Sequence, residues 1–591
     1  MNIPFFGCSW QPSLLFFEFL ASYVRITNQY PPVESVYILN FPFAFRRMHG
    51  IIHSLCIFYQ EGANIYQSRR FAEELSGGNP MKKLLKFLFH RVVLVALALA
   101  FQAGLLVLML VKFNEYYVYF YAVCVALSLA TVLKIVNGNS NPGYKIAWII
   151  PILLVPIFGV LFYLILGGKR LSRQTKAKMH RMEVKMRQEL PPQEDLLDEI
   201  RAQNEDAAAQ VQYIQKYAYS PVYKNTFTEY LPIGEVKFDR LKEELSKAKH
   251  YIFMEYFIIQ EGVMWDSILE ILKEKVKQGV EVRLIYDDMG CIMTLPYRYD
   301  RKLEALGIQC CVFNPFVPVL TSRLNNRDHR KICVIDGHTG FTGGINLADE
   351  YINAYEKHGH WKDTAVLLKG DAVWNLTVMF LSMWDYIHGI NEDFTPYKPS
   401  VHMTEQIKSD GYVQPYSDNP LDDESVGETV YLNLINRAKR FVYINTPYLI
   451  LDNEMATALR IAAKSGVDVR IVTPHIPDKW YVHAVTRAYY EMLLESGVRI
   501  YEYTPGFVHA KTFVVDDEYA TVGTVNLDYR SLYLHFECGV LLYRTSSVSA
   551  VKNDYLKTLE LCQPVTFEEC RRVSLPRRLG RAVLRVFAPL M

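Results

Sequence analysis

The sequence has no Cys-x-x-Cys pair, although it contains 10 cysteines, and it has no marked excess of charge of either sign. The missing pair excludes the ligand spacing of common zinc sites and of dithiol redox motifs. Scattered cysteines are typical of reduced thiols facing a cytosol rather than of a disulfide framework. The net charge of +2 argues neither for nor against a nucleic-acid partner.

Long apolar runs are present, and they are confined to the first third of the chain. A membrane-spanning helix needs about 20 residues, and three runs reach that length, at about 92–111, 116–136 and 146–167. Pro151 and Pro156 lie inside the third run, and membrane helices tolerate proline. Three buried helices of a soluble protein are the alternative, which is disfavoured because soluble helices of this length carry a polar face. We therefore predict a transmembrane anchor over residues 81–168.

A basic segment follows the third run and indicates the topology. Eight lysines and arginines lie between Lys169 and Arg187, against one acid, Glu183. The positive-inside rule then predicts that the rest of the chain is cytoplasmic. Three crossings would place the basic residues at 82–91 on the outside, so either the first run does not cross fully or the larger basic segment dominates.

Residues 1–80 show neither periodicity nor a signal peptide. The segment Met81-Lys82-Lys83-Leu84-Leu85-Lys86 is typical of the start of a membrane protein. We hypothesise that translation begins at Met81 and that residues 1–80 are an unstructured or wrongly assigned extension. Peptides from upstream of Met81 in the native protein would contradict this.

A duplicated α/β pattern begins after residue 220. Residues 169–220 combine the basic segment with Pro191-Pro192 and an acidic stretch, which predicts a linker. Beyond them, a strand at 251–257, a helix at 264–277 and a strand at 281–286 recur as a strand at 441–446, a helix at 454–464 and a strand at 468–472. A repeat of about 180–190 residues suits two tandem α/β domains with pseudo-twofold symmetry, which we place at 221–395 and 396–591.

Each repeat carries one sparse motif: H-x-K, four residues, D, six residues, G-x-x-N. Five fixed positions arise by chance on the order of once in a million windows, so two copies in register with the duplication are a strong signal. The first copy is His329, Lys331, Asp336, Gly343 and Asn346, and the second is His509, Lys511, Asp516, Gly523 and Asn526.

The spacing suits chemistry at phosphorus. The residues after each lysine are apolar and β-prone, and residues two apart on a strand share a face. An ammonium can then hold a phosphate oxygen while the imidazole attacks, and the asparagine amide can donate to a second oxygen. Asp336 and Asp516 are candidate catalytic groups, although Asp336-Gly337 is also an ordinary hairpin-turn pair. Group transfer needs a nucleophile and an acid, so two half-sites facing each other would supply both.

The paired motif resembles the phospholipase D superfamily from about residue 221 to the C-terminus, and within it the bacterial cardiolipin synthases. The residues that carry the closer resemblance are Asn325 to Lys331, Glu255-Tyr256-Phe257, Trp361-Lys362-Asp363, Thr446-Pro447-Tyr448 and Asn526 to Ser531, with an anchor around Asn141-Pro142 and Leu166-Gly167. Gly344 and Thr524 stand where the family often has Ser, and Asn445 where it often has Gln.

The resemblance implies an enzyme that joins two phosphatidylglycerols into cardiolipin and glycerol through a phosphohistidine. Asp363 and Glu537 would orient His329 and His509, and neither a metal nor another cofactor would be needed. Its partners would be phosphatidylglycerol and membrane lipid, not nucleic acid. A hydrolytic phospholipase D, another phosphatidyltransferase and a nuclease share the motif; an inactive binding protein is disfavoured because both copies are complete.

Two weaker candidates remain. Glu255 is either a site carboxylate or a structural partner. From Arg577 onward, Leu579, Val583, Val586 and Phe587 share one helical face, which predicts an amphipathic helix that lies against anionic lipid or packs on the fold.

Overall fold

The computed structural model describes residues 117–167, 173–316, 325–403 and 411–590, with isolated positions at 100, 104, 107 and 407. These residues belong to one compact unit, Val95–Met591. The predicted extension over residues 1–80 and the continuous course of the predicted first span lie outside the described residues, so both stay predictions.

Three apolar helices open the described chain: α1 (Tyr117–Val136), α2 (Pro142–Leu154) and α3 (Pro156–Phe162), followed by a π-helical turn at Tyr163–Gly167. The predicted span at 146–167 is wrong as a single helix. Pro156 disfavours helical backbone at Val155, where the chain turns sharply back. A Cβ on Gly159 would lie only 2.4 Å from the Cα of Ile152. None of the helices in the described ranges is both long enough and apolar enough to cross a membrane.

The predicted linker is instead a set of packed helices: α4 (Arg173–Glu189), α5 (Glu194–Gln203) and α6 (Glu205–Tyr217). Met179 and Met186 of α4 are buried in a core shared with both sheets, and Ile200 and Ile214 are buried against the second domain. The prediction failed because each helix buries only a narrow apolar stripe and is charged elsewhere.

The first domain is built on a seven-stranded sheet. Its strands and two short strands outside it are β1 (Thr226–Leu231), β2 (Tyr251–Tyr256), β3 (Glu281–Asp287), β4 (Gln309–Phe313), β5 (Arg327–Asp328), β6 (Lys331–Ile335), β7 (Thr339–Gly343), β8 (His360–Lys362) and β9 (Ala365–Gly370). The order is β1-β9-β7-β6-β2-β3-β4. The β2–β3 and β3–β4 pairs are parallel and the other pairs are antiparallel.

The second domain repeats this topology. Its strands are β10 (Tyr412–Asp418), β11 (Phe441–Asn445), β12 (Asp468–Pro474), β13 (Arg499–Tyr503), β14 (Gly506–Val508), β15 (Thr512–Val515), β16 (Tyr519–Gly523), β17 (His535–Tyr543) and β18 (Cys562–Pro564). The order β10-β17-β16-β15-β11-β12-β13 matches the first sheet strand for strand, and β18 extends it. The predicted duplication of an α/β domain is therefore confirmed; its boundary at residues 395 and 396 stays a prediction.

Helices cover the outer faces and fill the space between the sheets. They are α7 (Gly234–Lys247), α8 (Val263–Lys277), α9 (Asp288–Cys291), α10 (Tyr299–Glu304), α11 (Val373–His388), α12 (Pro399–His402), α13 (Val426–Arg437), α14 (Asn453–Lys464), α15 (Trp480–Glu495), α16 (Tyr529–Tyr533), α17 (Ser546–Leu559), α18 (Phe567–Arg571) and α19 (Leu575–Val586). One core joins Phe253 and Val334 of the first sheet to Tyr443 and Val514 of the second. Helix α11 is buried from its start through Asp385, as expected of a helix that is apolar all round.

Candidate active site

Two short parallel strand pairs connect the domains at equivalent positions. β5 pairs with the start of β17, and β8 pairs with β14. His329 follows β5 directly, and its backbone N–H donates to the carbonyl of Phe536 at 2.9 Å. His509 follows β14 directly, and its N–H donates to the carbonyl of Lys362 at 2.6 Å. Each histidine is therefore held beside the residue that follows its backbone partner. That residue is Glu537 after Phe536 and Asp363 after Lys362.

That register places each imidazole on a carboxylate. His329 Nδ1 lies 2.9 Å from both carboxylate oxygens of Glu537, and His509 Nδ1 lies 2.6 Å from Asp363 Oδ2. The sequence prediction named Asp363 and Glu537 as the carboxylates behind the two histidines without assigning the pairs. The structure pairs Glu537 with His329 and Asp363 with His509, because the strand pairs cross between the domains. A carboxylate accepts the Nδ1 proton, so each Nε2 keeps a lone pair for chemistry.

The two lysines bring positive charge to the same site. Lys331 Nζ donates to the carbonyl of His329, and Lys511 Nζ donates to that of His509. Burial lowers the pKa of Lys331 to about 7 and that of Lys511 to about 8. Each lysine also lowers the pKa of the other domain's histidine. The structure thus brings both half-sites within electrostatic reach of one another.

Both histidines are neutral in this environment. Burial is the largest cause that lowers the pKa of His329 and of His509 well below its ordinary value, and the two ammonium groups add to it. An anion entering the site would be attracted by the lysines and would raise these pKa values. The site is therefore suited to bind a phosphodiester and to present neutral imidazole to it.

Further polar groups hold Glu537, and sequence reasoning gave them no role. Ser531 Oγ donates to Glu537 Oε1 at 2.6 Å, and Thr524 Oγ1 donates to Oε2. The ring of His535 lies 5.5 Å from that of His329, and burial lowers the pKa of His535 to about 3. Because His535 is two residues before Glu537 on β17, the alternation of the strand was a signal that could have found it.

The donor set also has the chemistry of a metal site. The ligand atoms of His329, His535 and Glu537 lie within 4.8 Å of one another. Imidazole and carboxylate are ligands that zinc accepts. The expectation that the reaction needs no metal stays a prediction.

The motif aspartates have a structural position. The carboxylate of Asp336 accepts from the backbone N–H groups of residues 249–251, and that of Asp516 from those of residues 439–441. They lie at the far ends of β6 and β15, about 16 Å along the strand from the lysines. Both adopt positive φ, at 48° and 54°. Their inclusion among the catalytic groups is therefore wrong; they fix the turn to the start of β2 and β11.

The two asparagines are buried and partly engaged. Asn346 Oδ1 accepts from the N–H of Ile258 at 3.0 Å, and its Nδ2 donates to Tyr351 at 2.6 Å. Asn526 hydrogen-bonds to Asp528. An amide N–H remains on Asn346 for a phosphate, and phosphate binding by both asparagines stays a prediction.

Other candidates are explained by packing. Glu255 forms a buried ion pair with Arg330 at 2.5 Å. Of the two roles left open for Glu255, this contact agrees with that of a structural partner. A Cβ on Gly344 would lie 2.1 Å from Asp363 Oδ1, so glycine makes room for the carboxylate that holds His509. In the other half-site Thr524 instead donates to the longer Glu537. Gly344 and Thr524, which both replace a serine common in the family, therefore each contact a different carboxylate, Asp363 and Glu537.

Comparison with known proteins agrees with this site. A family model described as "Cardiolipin synthase, PLD-like domain" matches residues 241–384 and 431–559, and one described as "Phospholipase_D-nuclease N-terminal" matches residues 126–168. The cardiolipin synthase of Geobacillus sp. strain WCH70 is 35% identical over 79% of this chain and 92% of its own length. Cardiolipin synthase 2 of Bacillus anthracis is 32% identical over 77% and 88%.

Two further proteins are similar to this chain. An uncharacterized protein of Streptococcus mutans is 44% identical over 78% of this chain and its full length. The crystal structure of phosphatidylserine synthase from Haemophilus influenzae aligns with 65% of this chain and 99% of its own, at 14% identity and a TM-score of 0.49.

The duplicated domains and the paired histidine–lysine half-sites define a phospholipase D-type enzyme of the phosphatidyltransferase class. Within that class, the chain belongs to the bacterial cardiolipin synthase family.

Proposed function

We propose that this enzyme transfers a phosphatidyl group from one phosphatidylglycerol to another, giving cardiolipin and glycerol. The observation that carries the proposal is the pair of buried imidazoles, each with Nδ1 on a carboxylate and Nε2 left for reaction. Lys331 and Lys511 supply the positive charge that a phosphodiester needs in such a site.

Binding of the anionic phosphodiester raises the pKa of His509, which takes up a proton from solvent at Nε2. In the first step, His329 Nε2 attacks the phosphorus of one phosphatidylglycerol. The bond from phosphorus to the glycerol oxygen breaks, and His509 gives that oxygen a proton. In the second step, His509 takes the proton from a hydroxyl of the second phosphatidylglycerol, whose oxygen attacks phosphorus. The phosphorus–nitrogen bond breaks, and His329 is regenerated.

The unequal carboxylates support this division of roles. Burial raises the pKa of Asp363 to about 6, which makes it a good acceptor and stabilises a protonated His509. Glu537 already accepts from Thr524 and Ser531, which weakens its pull on the proton of His329. His509 therefore suits acid–base work, and His329 suits attack as a neutral nucleophile.

Thin-layer analysis of lipids tests the function. Purified protein incubated with phosphatidylglycerol as the only lipid should form cardiolipin and glycerol in equal amounts. Phosphatidic acid as the main product would instead favour the alternative, a hydrolytic phospholipase D. Product formed only when a different alcohol is added would favour another phosphatidyltransferase.

Replacing Lys331 should separate activity from stability. We expect Lys331→Met to lower turnover roughly 10²–10³-fold, because one preorganised phosphate contact is lost. The same change should raise the free energy of unfolding, since burial, opposed by Glu537, lowers the pKa of Lys331 to about 7. Between pH 7 and the ordinary lysine pKa of 10.5, Lys331 carries a proton in the unfolded chain but not in the folded one. The stability gained by Lys331→Met should therefore be largest below about pH 7 and shrink as pH rises.

Unfolding curves of Lys331→Met and the unchanged protein at several pH values measure this gain. Lys369→Met, on a partly exposed lysine of β9, is the matched control and should change neither turnover nor the pH trend. Loss of stability in Lys331→Met at all pH values would contradict the argument.

The same proposal includes attachment to the cell membrane through the apolar N-terminal segment, with the catalytic domains in the cytoplasm. Large apolar side chains are left exposed on its helices, among them Leu133, Leu153 and Leu154. A surface of this kind marks a membrane or partner contact. A reporter fused after Arg187 should behave as cytosolic, and a periplasmic-type signal from the same fusion would contradict the topology.

A further inference from the structure

A cavity lies away from the paired histidines, at the junction of the N-terminal helices and the second domain. Helices α2, α14, α15 and α19 surround it, and its volume of about 670 Å³ lies within the range of ligand clefts. Tyr529, at the start of α16, forms part of its wall. Gly143 permits the close approach of α2, because a Cβ there would lie 2.5 Å from the Tyr529 hydroxyl.

The charge on the cavity wall is strongly positive. Of the described residues that line it, five are arginines and two are acidic, and the arginines are Arg460, Arg487, Arg578, Arg581 and Arg585. Both acids already have partners: Asp452 accepts from Tyr533, and Glu491 pairs with Arg578 at 3.4 Å. Arg487 pairs with Glu502, which leaves Arg460, Arg581 and Arg585 without a carboxylate partner among the described residues.

Arg581 shows most clearly that an anion would be stabilised here. It is half-buried, and burial together with the charges of Arg487 and Arg577 lowers its pKa below the usual value. Cations that crowd one another in a cavity favour an anionic ligand, and guanidinium groups match phosphate oxygens in geometry.

The apolar surroundings distinguish a lipid from a free anion. Ile146 of α2 and Val586 of α19 line the cavity. Next to it, α19 exposes Leu575, Leu579 and Val583, at 81%, 66% and 52% of their accessible surface. A cavity lined by arginines, with apolar side chains in its wall and on the adjoining exposed part of α19, suits a phosphate group with acyl chains attached.

We propose that this cavity binds the phosphodiester headgroup of an anionic membrane phospholipid, at a site separate from the catalytic histidines. Arg460, Arg581 and Arg585 hold the phosphate, and the acyl chains lie along α2 and the exposed face of α19. The lipid thereby seats the second domain against the bilayer.

Photolabelling tests the site. The full-length protein is reconstituted into phosphatidylcholine vesicles that contain phosphatidylglycerol with a photoreactive acyl chain, and labelled peptides are mapped by mass spectrometry. We expect labels in α2 and α19. The variants Arg581→Gln and Arg460→Gln, on different helices, should each reduce this labelling about tenfold, the effect of losing one charge-assisted contact.

The controls separate the possible ligands. Arg572→Gln removes an equal charge from an exposed position outside the cavity and should leave the labelling unchanged. Equal labelling by a photoreactive phosphatidylcholine would show apolar contact only and overturn the proposal. Loss of the label in excess inorganic phosphate would show a site for free anions and overturn it as well, as would labels that neither variant reduces.

Discussion

Replacing His329 with alanine should abolish the covalent intermediate and lower turnover by roughly 10⁴-fold or more, because the nucleophile is gone and the remaining groups cannot replace it. The unchanged protein, quenched with denaturant during reaction with phosphate-labelled phosphatidylglycerol, should carry acid-labile label, and His329→Ala should carry none. His338→Ala is the matched control, since His338 lies in the β6–β7 turn of the same domain and contacts Thr339 rather than the site.

The partner histidine should behave differently in the same experiment. His509→Asn should slow formation of the intermediate, by roughly 10²–10⁴-fold for an acid that protonates the leaving group. A substrate whose leaving group is a weak base should recover much of that loss, because protonation then matters little. Label found on His509 in the unchanged protein would show that the roles are reversed, and the overall reaction would survive that result.

Replacing Glu537 with glutamine should lower turnover by roughly 10³–10⁴-fold, the scale seen when the carboxylate behind a catalytic imidazole is lost. Glu537 contacts His329 of the other domain, so the loss should affect formation of the phosphohistidine. A substrate with a good leaving group should not recover the rate.

Asp363→Asn is the matched comparison for Glu537→Gln. Asp363 holds His509, so its replacement should resemble His509→Asn and be recovered by a good leaving group. Rapid-quench rates of label formation with the two substrate types distinguish the outcomes. A leaving-group recovery seen for Glu537→Gln instead of Asp363→Asn would contradict the crossed arrangement.

Local sequence was enough for the features that depend on neighbours along the chain. The H-x-K spacing already grouped His329 with Lys331 in one half-site, and the recurring strand–helix–strand pattern after residue 220 already indicated two copies of one α/β unit. The chemistry of the half-site follows from residue types at fixed short spacings.

Features that depend on contacts between distant segments needed the tertiary structure. The strand pairs β5–β17 and β8–β14 decide that Glu537 serves His329 and that Asp363 serves His509, and no local pattern encodes which domain a carboxylate faces. The same holds for Asp336, whose partners are backbone groups about 85 residues earlier. The polar composition of this segment did not indicate α5 and α6. Each helix buries only a narrow stripe of residues, and that stripe packs on a core formed by distant parts of the chain.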